Sequence, residues 1–181
     1  MATTRTRVRV GVFVPSDVQL LDLACADVFA MLSRDYLAAL KMLPASLTDL
    51  APEVSISYIG TGPTAPTTAR TTIATTHLLG DPDVAPGKLD IVLVPGPDPF
   101  ATWGEDVKGW LRGHGEREGV DVLCVCTGIF LVGDAGLLEG KTVCGPRGLQ
   151  GRIRERYESV RTMGERYRWV RDGRLWSSGE F

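Results

Sequence analysis

Hydrophobic positions along this chain follow two periods in turn, and each change of period marks a change from strand to helix or back. Val8 to Val14 is an almost unbroken apolar run, interrupted by Arg9 and bounded by Pro15, as expected of a strand buried on both faces of a parallel sheet. From Asp17 the spacing lengthens. Leu20, Leu21, Ala24, Val28, Met31 and Leu32 recur at helical intervals, and a second helix is expected from Asp35 to Leu43, ahead of Pro44. Val54 to Ile59 alternates as a strand that stops at Gly60, and the threonine- and proline-rich stretch from Thr61 to Thr76 reads as a loop or small ribbon. Leu89 to Val94 is the clearest buried strand and runs into Pro95-Gly96-Pro97-Asp98-Pro99, a stiff loop suited to be the wall of a site.

Asp106 to Glu118 reads as a helix through Val107, Trp110 and Leu111, weakened by Gly109, Gly113 and Gly115. The chain then returns in a strand at Val120. Farther on, Ala135 to Lys141 closes a helix and Thr142-Val143-Cys144 is a short strand, while Leu149 to Tyr157 has the pattern of a charged amphipathic helix. Arg171-Asp172-Gly173-Arg174 lies between Tyr167-Arg168-Trp169-Val170 and Leu175-Trp176, and a D-G pair in that setting predicts a hairpin. Strand and helix alternation of this kind is the pattern of an α/β domain with a mainly parallel sheet and right-handed crossovers. Strand material that ends without a covering helix is expected to leave the sheet open on one side, so the chain reads as shortened or completed by another chain.

Composition narrows the function. The 181 residues are 44% hydrophobic, enough for one domain spanning 1–181. A net charge of −2 supplies no general cationic field for nucleic acid or an anionic membrane. Arg152, Arg154, Arg156 and Arg161 make the C-terminal part locally basic, but Glu155, Glu158 and Glu165 are interleaved with them, as on a solvated mixed-charge face. Met1 to Arg9 contains no apolar leader core, and no stretch approaches a membrane span, so a soluble cytoplasmic protein is expected. Cys25, Cys124, Cys126 and Cys144 are then read as reduced thiols. Cys124 and Cys126 form a C-x-C pair without a second ligand pair, and His77 and His114 lie in unrelated segments, so no zinc site is expected. His77 itself reads as a structural or surface residue.

The chemistry concentrates in Val120-Asp121-Val122-Leu123-Cys124-Val125-Cys126-Thr127-Gly128-Ile129-Phe130-Leu131, a strand that meets a sharp turn and then a helix. Cys126 occupies the turn. A sulfur there is lifted clear of the sheet, beside unpaired helix N–H groups and the positive end of the dipole, and both lower a thiol pKa. The serine counterpart is the G-x-S-x-G elbow, of which this chain keeps the second glycine, Gly128, with Cys124 in place of the first. An ordinary buried cysteine at a strand end is the competing reading. Asp22 is the polar exception in an apolar segment just beyond the first strand, at the edge where open α/β sheets build their sites.

Several segments in order resemble the ThiJ/PfpI superfamily, the class I glutamine amidotransferase-like proteins: Val18-Gln19-Leu20-Leu21-Asp22-Leu23, Leu93-Val94-Pro95-Gly96, Val125-Cys126-Thr127-Gly128 and Ala135-Gly136-Leu137-Leu138-Glu139-Gly140-Lys141. Val170-Arg171-Asp172-Gly173 through Ser177-Ser178-Gly179 matches the closing hairpin, so the resemblance spans nearly the whole chain. Aspartate after the first strand and threonine after the cysteine look most like the isocyanide hydratase branch. The resemblance implies a flavodoxin-like, doubly wound, three-layer αβα sandwich, apparently lacking the C-terminal part usual in the family. It also implies a homodimer without metal or organic cofactor, acting on a small electrophilic substrate. Cys126 is then the nucleophile and Asp22 its acid/base partner, with Gly96, Thr127 and Gly128 at the oxyanion and substrate-binding positions.

The chain departs from the family pattern in places. Pro97 stands where relatives commonly carry a second glycine, and proline has no N–H to donate. Val143-Cys144-Gly145-Pro146-Arg147-Gly148 replaces the frequent Thr-Thr-His-Trp, and no histidine follows Cys126, which argues against a Cys-His hydrolase. Two other functions use the same cysteine: a non-enzymatic redox sensor or ligand-binding protein, and a glyoxalase- or deglycase-like activity on reactive aldehydes.

Overall fold

A computed structural model describes residues 6–179; residues 1–5, on which part of the no-leader reading falls, and residues 180–181 lie outside the described residues. In chain order the elements are β1 (Arg7–Phe13), α1 (Leu20–Leu23), α2 (Cys25–Met31), α3 (Arg34–Leu40), α4 (Ala45–Thr48), β2 (Glu53–Gly60), β3 (Thr64–Pro66), β4 (Thr72–Ala74) and β5 (His77–Leu78). They continue with β6 (Ile91–Val94), α5 (Glu105–Gly115), β7 (Asp121–Val125), α6 (Gly128–Asp134), β8 (Thr142–Val143), α7 (Gln150–Arg156), β9 (Arg161–Thr162), β10 (Trp169–Asp172) and β11 (Leu175–Ser178).

Seven strands form the central sheet in the order β10-β11-β7-β6-β1-β2-β5. Each pairing in it is parallel except that of β10 with β11, the hairpin predicted from Asp172-Gly173. Successive strand residues face opposite layers. Phe13, Val92, Val94 and Val122 pack with Trp110 and Leu111 of α5 and Ile129 and Leu131 of α6. Val10, Val12, Leu93 and Val125 pack with Leu23 and Ala26 on the other face. The result is the three-layer, doubly wound αβα architecture expected of the sequence. Each fully buried Val, Leu, Ile or Phe contributes roughly 1.5–3 kcal/mol relative to exposure.

The chain leaves β1 outward to β2 and later returns to β6 on the other side of β1. Strand order therefore reverses between β1 and β6, and the crevice beyond their carboxyl ends is the place for a site. Asp22 follows β1, Gly96 follows β6 and Cys126 follows β7, so all three stand on that edge.

The unbroken helix expected from Asp17 is not formed. Asp17 adopts φ 59, and residues 17–18 are tied to the β3–β4 ribbon by Asp17 N–H to Pro66 O at 2.9 Å and Thr68 N–H to Val18 O at 3.1 Å. Helix starts only at Leu20 and is interrupted at Ala24, between α1 and α2. The tie to the ribbon outweighs local helical preference. Nor does the apolar pattern all face the core, since Leu21, Val28, Met31 and Leu32 are exposed. The second helix stops at Leu40 rather than Leu43 because Lys41 turns left-handed at φ 53. Strand β8 pairs with β9 in a separate small sheet, held to the hairpin by the Thr142 N–H donated to Asp172 at 2.8 Å. A groove of about 300 Å³ opens between α2 and the β10–β11 hairpin, lined by Val28, Phe29, Leu93, Leu123, Trp169 and Trp176.

Candidate functional site

Three loops converge on the switch point. The first carries Gln19 and Asp22 into α1, the second is Pro95-Gly96-Pro97 after β6, and the third is the turn from β7 into α6. That turn is sharp. Cys126 has φ 55, a left-handed conformation that costs a non-glycine residue roughly 1–3 kcal/mol. Its N–H is donated to Ser178 O of β11 at 3.1 Å, which anchors the strained residue to the sheet. Gly128 lets α6 start hard against β6, where a Cβ would lie 2.4 Å from Val94 O. The N–H groups of Thr127 and Gly128 open this helix and have no intrahelical acceptor.

Asp22 is almost fully buried, at 2% exposure. One carboxyl oxygen, Oδ2, accepts the Gly96 N–H at 2.8 Å, and the carboxyl shares a side-chain hydrogen bond with Cys126. Burial pushes the Asp22 pKa above the ordinary carboxyl value, and the bonds to Gly96 and Cys126 oppose that shift without overcoming it. A Cβ on Gly96 would lie 2.5 Å from Asp22 Oδ2 and 2.6 Å from Thr127 Oγ1, so glycine is what allows the two side chains to close around this peptide. The Thr127 hydroxyl donates to Pro97 O at 2.6 Å. Pro97 thus contributes its carbonyl, an acceptor that the missing N–H does not affect.

The other thiols differ from Cys126 in their surroundings. Burial pushes Cys124 up to about 12, and it also raises Cys25 and Cys144. These three are held as thiols. His114 is a buried residue of α5, its Nε2 bonded to Val84 O at 3.1 Å and its ring edge-on to Trp110. His77 begins the outermost strand, bonded to Thr76 Oγ1 at 2.9 Å. Among the described residues, no three His, Cys, Asp or Glu side chains gather so as to hold a metal ion. Among the same residues no helix is long and apolar enough to cross a membrane.

Comparison with protein-family models and with curated proteins gives no match. Solved structures do match. A ThiJ/PfpI family protein from Pseudomonas syringae superposes with a TM-score of 0.72 at 16% identity, over 97% of this chain and 63% of that one. Drosophila melanogaster DJ-1beta superposes with a TM-score of 0.70 at 16% identity, over 96% of this chain and 82% of its own. An AraC family transcriptional regulator from Pseudomonas putida gives 0.69 at 14% identity, over 94% and 83%. The fold is that of the DJ-1/ThiJ/PfpI proteins. Identities this low speak to the fold alone.

Within this DJ-1/ThiJ/PfpI fold, the five residues singled out from the sequence (Asp22, Gly96, Cys126, Thr127 and Gly128) come together at the carboxyl edge of the sheet. Their parts differ from the expectation at Gly96, whose N–H is committed to Asp22 instead of pointing to an oxyanion. Sequence reasoning missed Gln19. Its side-chain Nε2 donates to Cys126 Sγ at 3.7 Å, and its backbone N–H donates to Gly96 O at 3.2 Å. Its position three residues before Asp22, on the same sheet edge, was the available clue.

Proposed function

We propose that this chain is a cysteine-dependent enzyme that hydrates a small electrophile, an isocyanide, to its N-formamide, with Cys126 as nucleophile and Asp22 as acid and base. One observation carries the proposal: a buried carboxyl group, pushed toward its protonated form, is hydrogen-bonded to a cysteine on a strained strand-to-helix turn. An ionised carboxylate beside the sulfur would repel a thiolate, whereas a protonated one donates to it and stabilises it. The two titrate as a pair that holds one proton between them.

The chemistry follows from that shared proton. The Cys126 thiolate adds to the terminal carbon of R–N≡C, and the Asp22 proton passes to the same carbon, giving a thioimidate and an Asp22 carboxylate. The carboxylate then removes a proton from water as the oxygen adds to that carbon, and the proton goes on to the nitrogen. In the tetrahedral adduct the C–S bond breaks, the hydroxyl proton returns to Asp22, and R–NH–CHO leaves the regenerated thiolate. Substrate plus one water becomes formamide, with the pair restored. The N–H groups of Thr127 and Gly128 would steady the charge that develops. Four reduced cysteines support a cytoplasmic setting, and the proposal includes a homodimer.

The test incubates the full chain with a panel of isocyanides and with methylglyoxal, comparing wild type, Cys126→Ala and Asp22→Asn. Formamide is expected from wild type, none from Cys126→Ala, and about 10²–10⁴-fold slower turnover from Asp22→Asn, the range for losing a general acid and base. Turnover of methylglyoxal alone would redirect the proposal to aldehydes. No turnover by any variant, with peroxide giving a single oxidised species at Cys126, would replace the enzyme by a redox sensor.

A further inference from the structure

Gln19 reaches the sulfur from the side chain just ahead of α1, and the same residue that holds Asp22, Gly96, also holds Gln19. The Gly96 N–H goes to Asp22 Oδ2 at 2.8 Å, and the Gly96 carbonyl accepts the Gln19 N–H at 3.2 Å. Gln19 has extended backbone, φ −79 and ψ 129, which turns its N–H toward the Pro95-Gly96-Pro97 loop while its side chain extends to Cys126. One residue, Gly96, therefore sets the register of the Asp22 and Gln19 side chains. The amide contact of 3.7 Å suits the large radius of sulfur.

We propose that Gln19 is a positioning residue that holds Cys126 in its thiolate form, an inference that rests on Cys126 being the nucleophile. An amide N–H is a donor at every pH, and a thiolate is a far better acceptor than a thiol, so the contact favours the charged sulfur. Asp22 can donate to the sulfur only while it keeps its proton. Gln19 therefore steadies the charged sulfur in the resting pair and again as the C–S bond breaks, before the proton has returned to Asp22. The titratable groups facing this pair are Asp22 of α1 and Cys25 of α2, and Cys25 is raised by burial and by the Asp22 charge. Neither can replace a neutral donor.

The test follows alkylation of Cys126 by iodoacetamide as a function of pH in the full chain, with the modified residue located by mass spectrometry. Wild type is expected to titrate below about 8.5, the value of an unperturbed cysteine. Gln19→Leu removes the donor and should move the profile upward, with about tenfold less thiolate below the midpoint, one pH unit being one factor of ten. Gln19→Glu keeps the shape and the backbone bond but places a second carboxylate by the sulfur, and should move the profile further in the same direction. A depressed wild-type profile unchanged in both variants overturns the role of Gln19 alone. An ordinary cysteine profile in wild type overturns the nucleophile reading on which it rests.

Discussion

At the scale of single residues, Asp22 carries the sharpest consequence for stability. Its folded pKa is raised by burial, so the folded chain holds this proton more tightly than the unfolded chain does. The stability that Asp22 contributes is therefore complete below the ordinary carboxyl value of 3.8 and falls as pH rises through the folded value. Asn in its place stays neutral and can still accept the Gly96 N–H. Asp22→Asn should gain stability relative to wild type as pH rises above the ordinary carboxyl value, read as a difference in melting midpoint that widens up to the folded value and levels above it. A difference independent of pH would show that Asp22 does not titrate as described. The polar oddity of Asp22 among leucines was legible in the sequence. Its clamp by Gly96, and the contact of Gln19 with the sulfur, were not, because both depend on a loop more than seventy positions away.

At the scale of elements, the elbow was readable because it combines a β-branched run, a cysteine, a glycine and a helical pattern within a dozen residues. Its physical demand is the approach of α6 to β6. Gly128→Ala would place a methyl 2.4 Å from Val94 O, and backbone cannot swing aside as a side-chain tip can. It should destabilise by about 1–3 kcal/mol. Gly109→Ala in α5 is the control, since nothing lies within 4 Å of its Cβ position; there the helical preference of alanine should stabilise by up to about 1 kcal/mol. Chemical denaturation of the two variants measures both, and equal effects would contradict the packing account. The long helix expected from Asp17 failed for the opposite reason. Its apolar spacing was local, but the left-handed Asp17 and the late start at Leu20 are imposed by the ribbon and by the docking of Gln19 on Gly96.

At the scale of the whole molecule, the two cores on either face of the sheet hold the three site loops in place. The helical layer over β1 and β2 also leaves large apolar side chains outside: Leu21, Val28, Met31 and Leu32 on α1 and α2, and Leu47 and Leu50 around α4. Such side chains would be buried by the proposed homodimer, and large apolar groups gain by leaving water. Light scattering should give the mass of two chains. The mass of one chain at micromolar concentration would contradict it.

Taken alone, the amino-acid sequence determined the fold class, the strands of the sheet except the outermost, His77–Leu78, the closing hairpin and the identity of the two residues proposed for catalysis. Those features are carried by short-range patterns: apolar runs for buried parallel strands, a D-G pair for the hairpin, and a lone carboxyl group and a cysteine after strand ends. Only the tertiary structure decided that Gly96 serves Asp22, that Pro97 serves Thr127 through its carbonyl, that β8 leaves the main sheet for β9, and that Gln19 touches the sulfur. The reason is physical. A hydrogen bond between distant loops is fixed by how strands are ordered and helices are packed, and no local period along the chain records it.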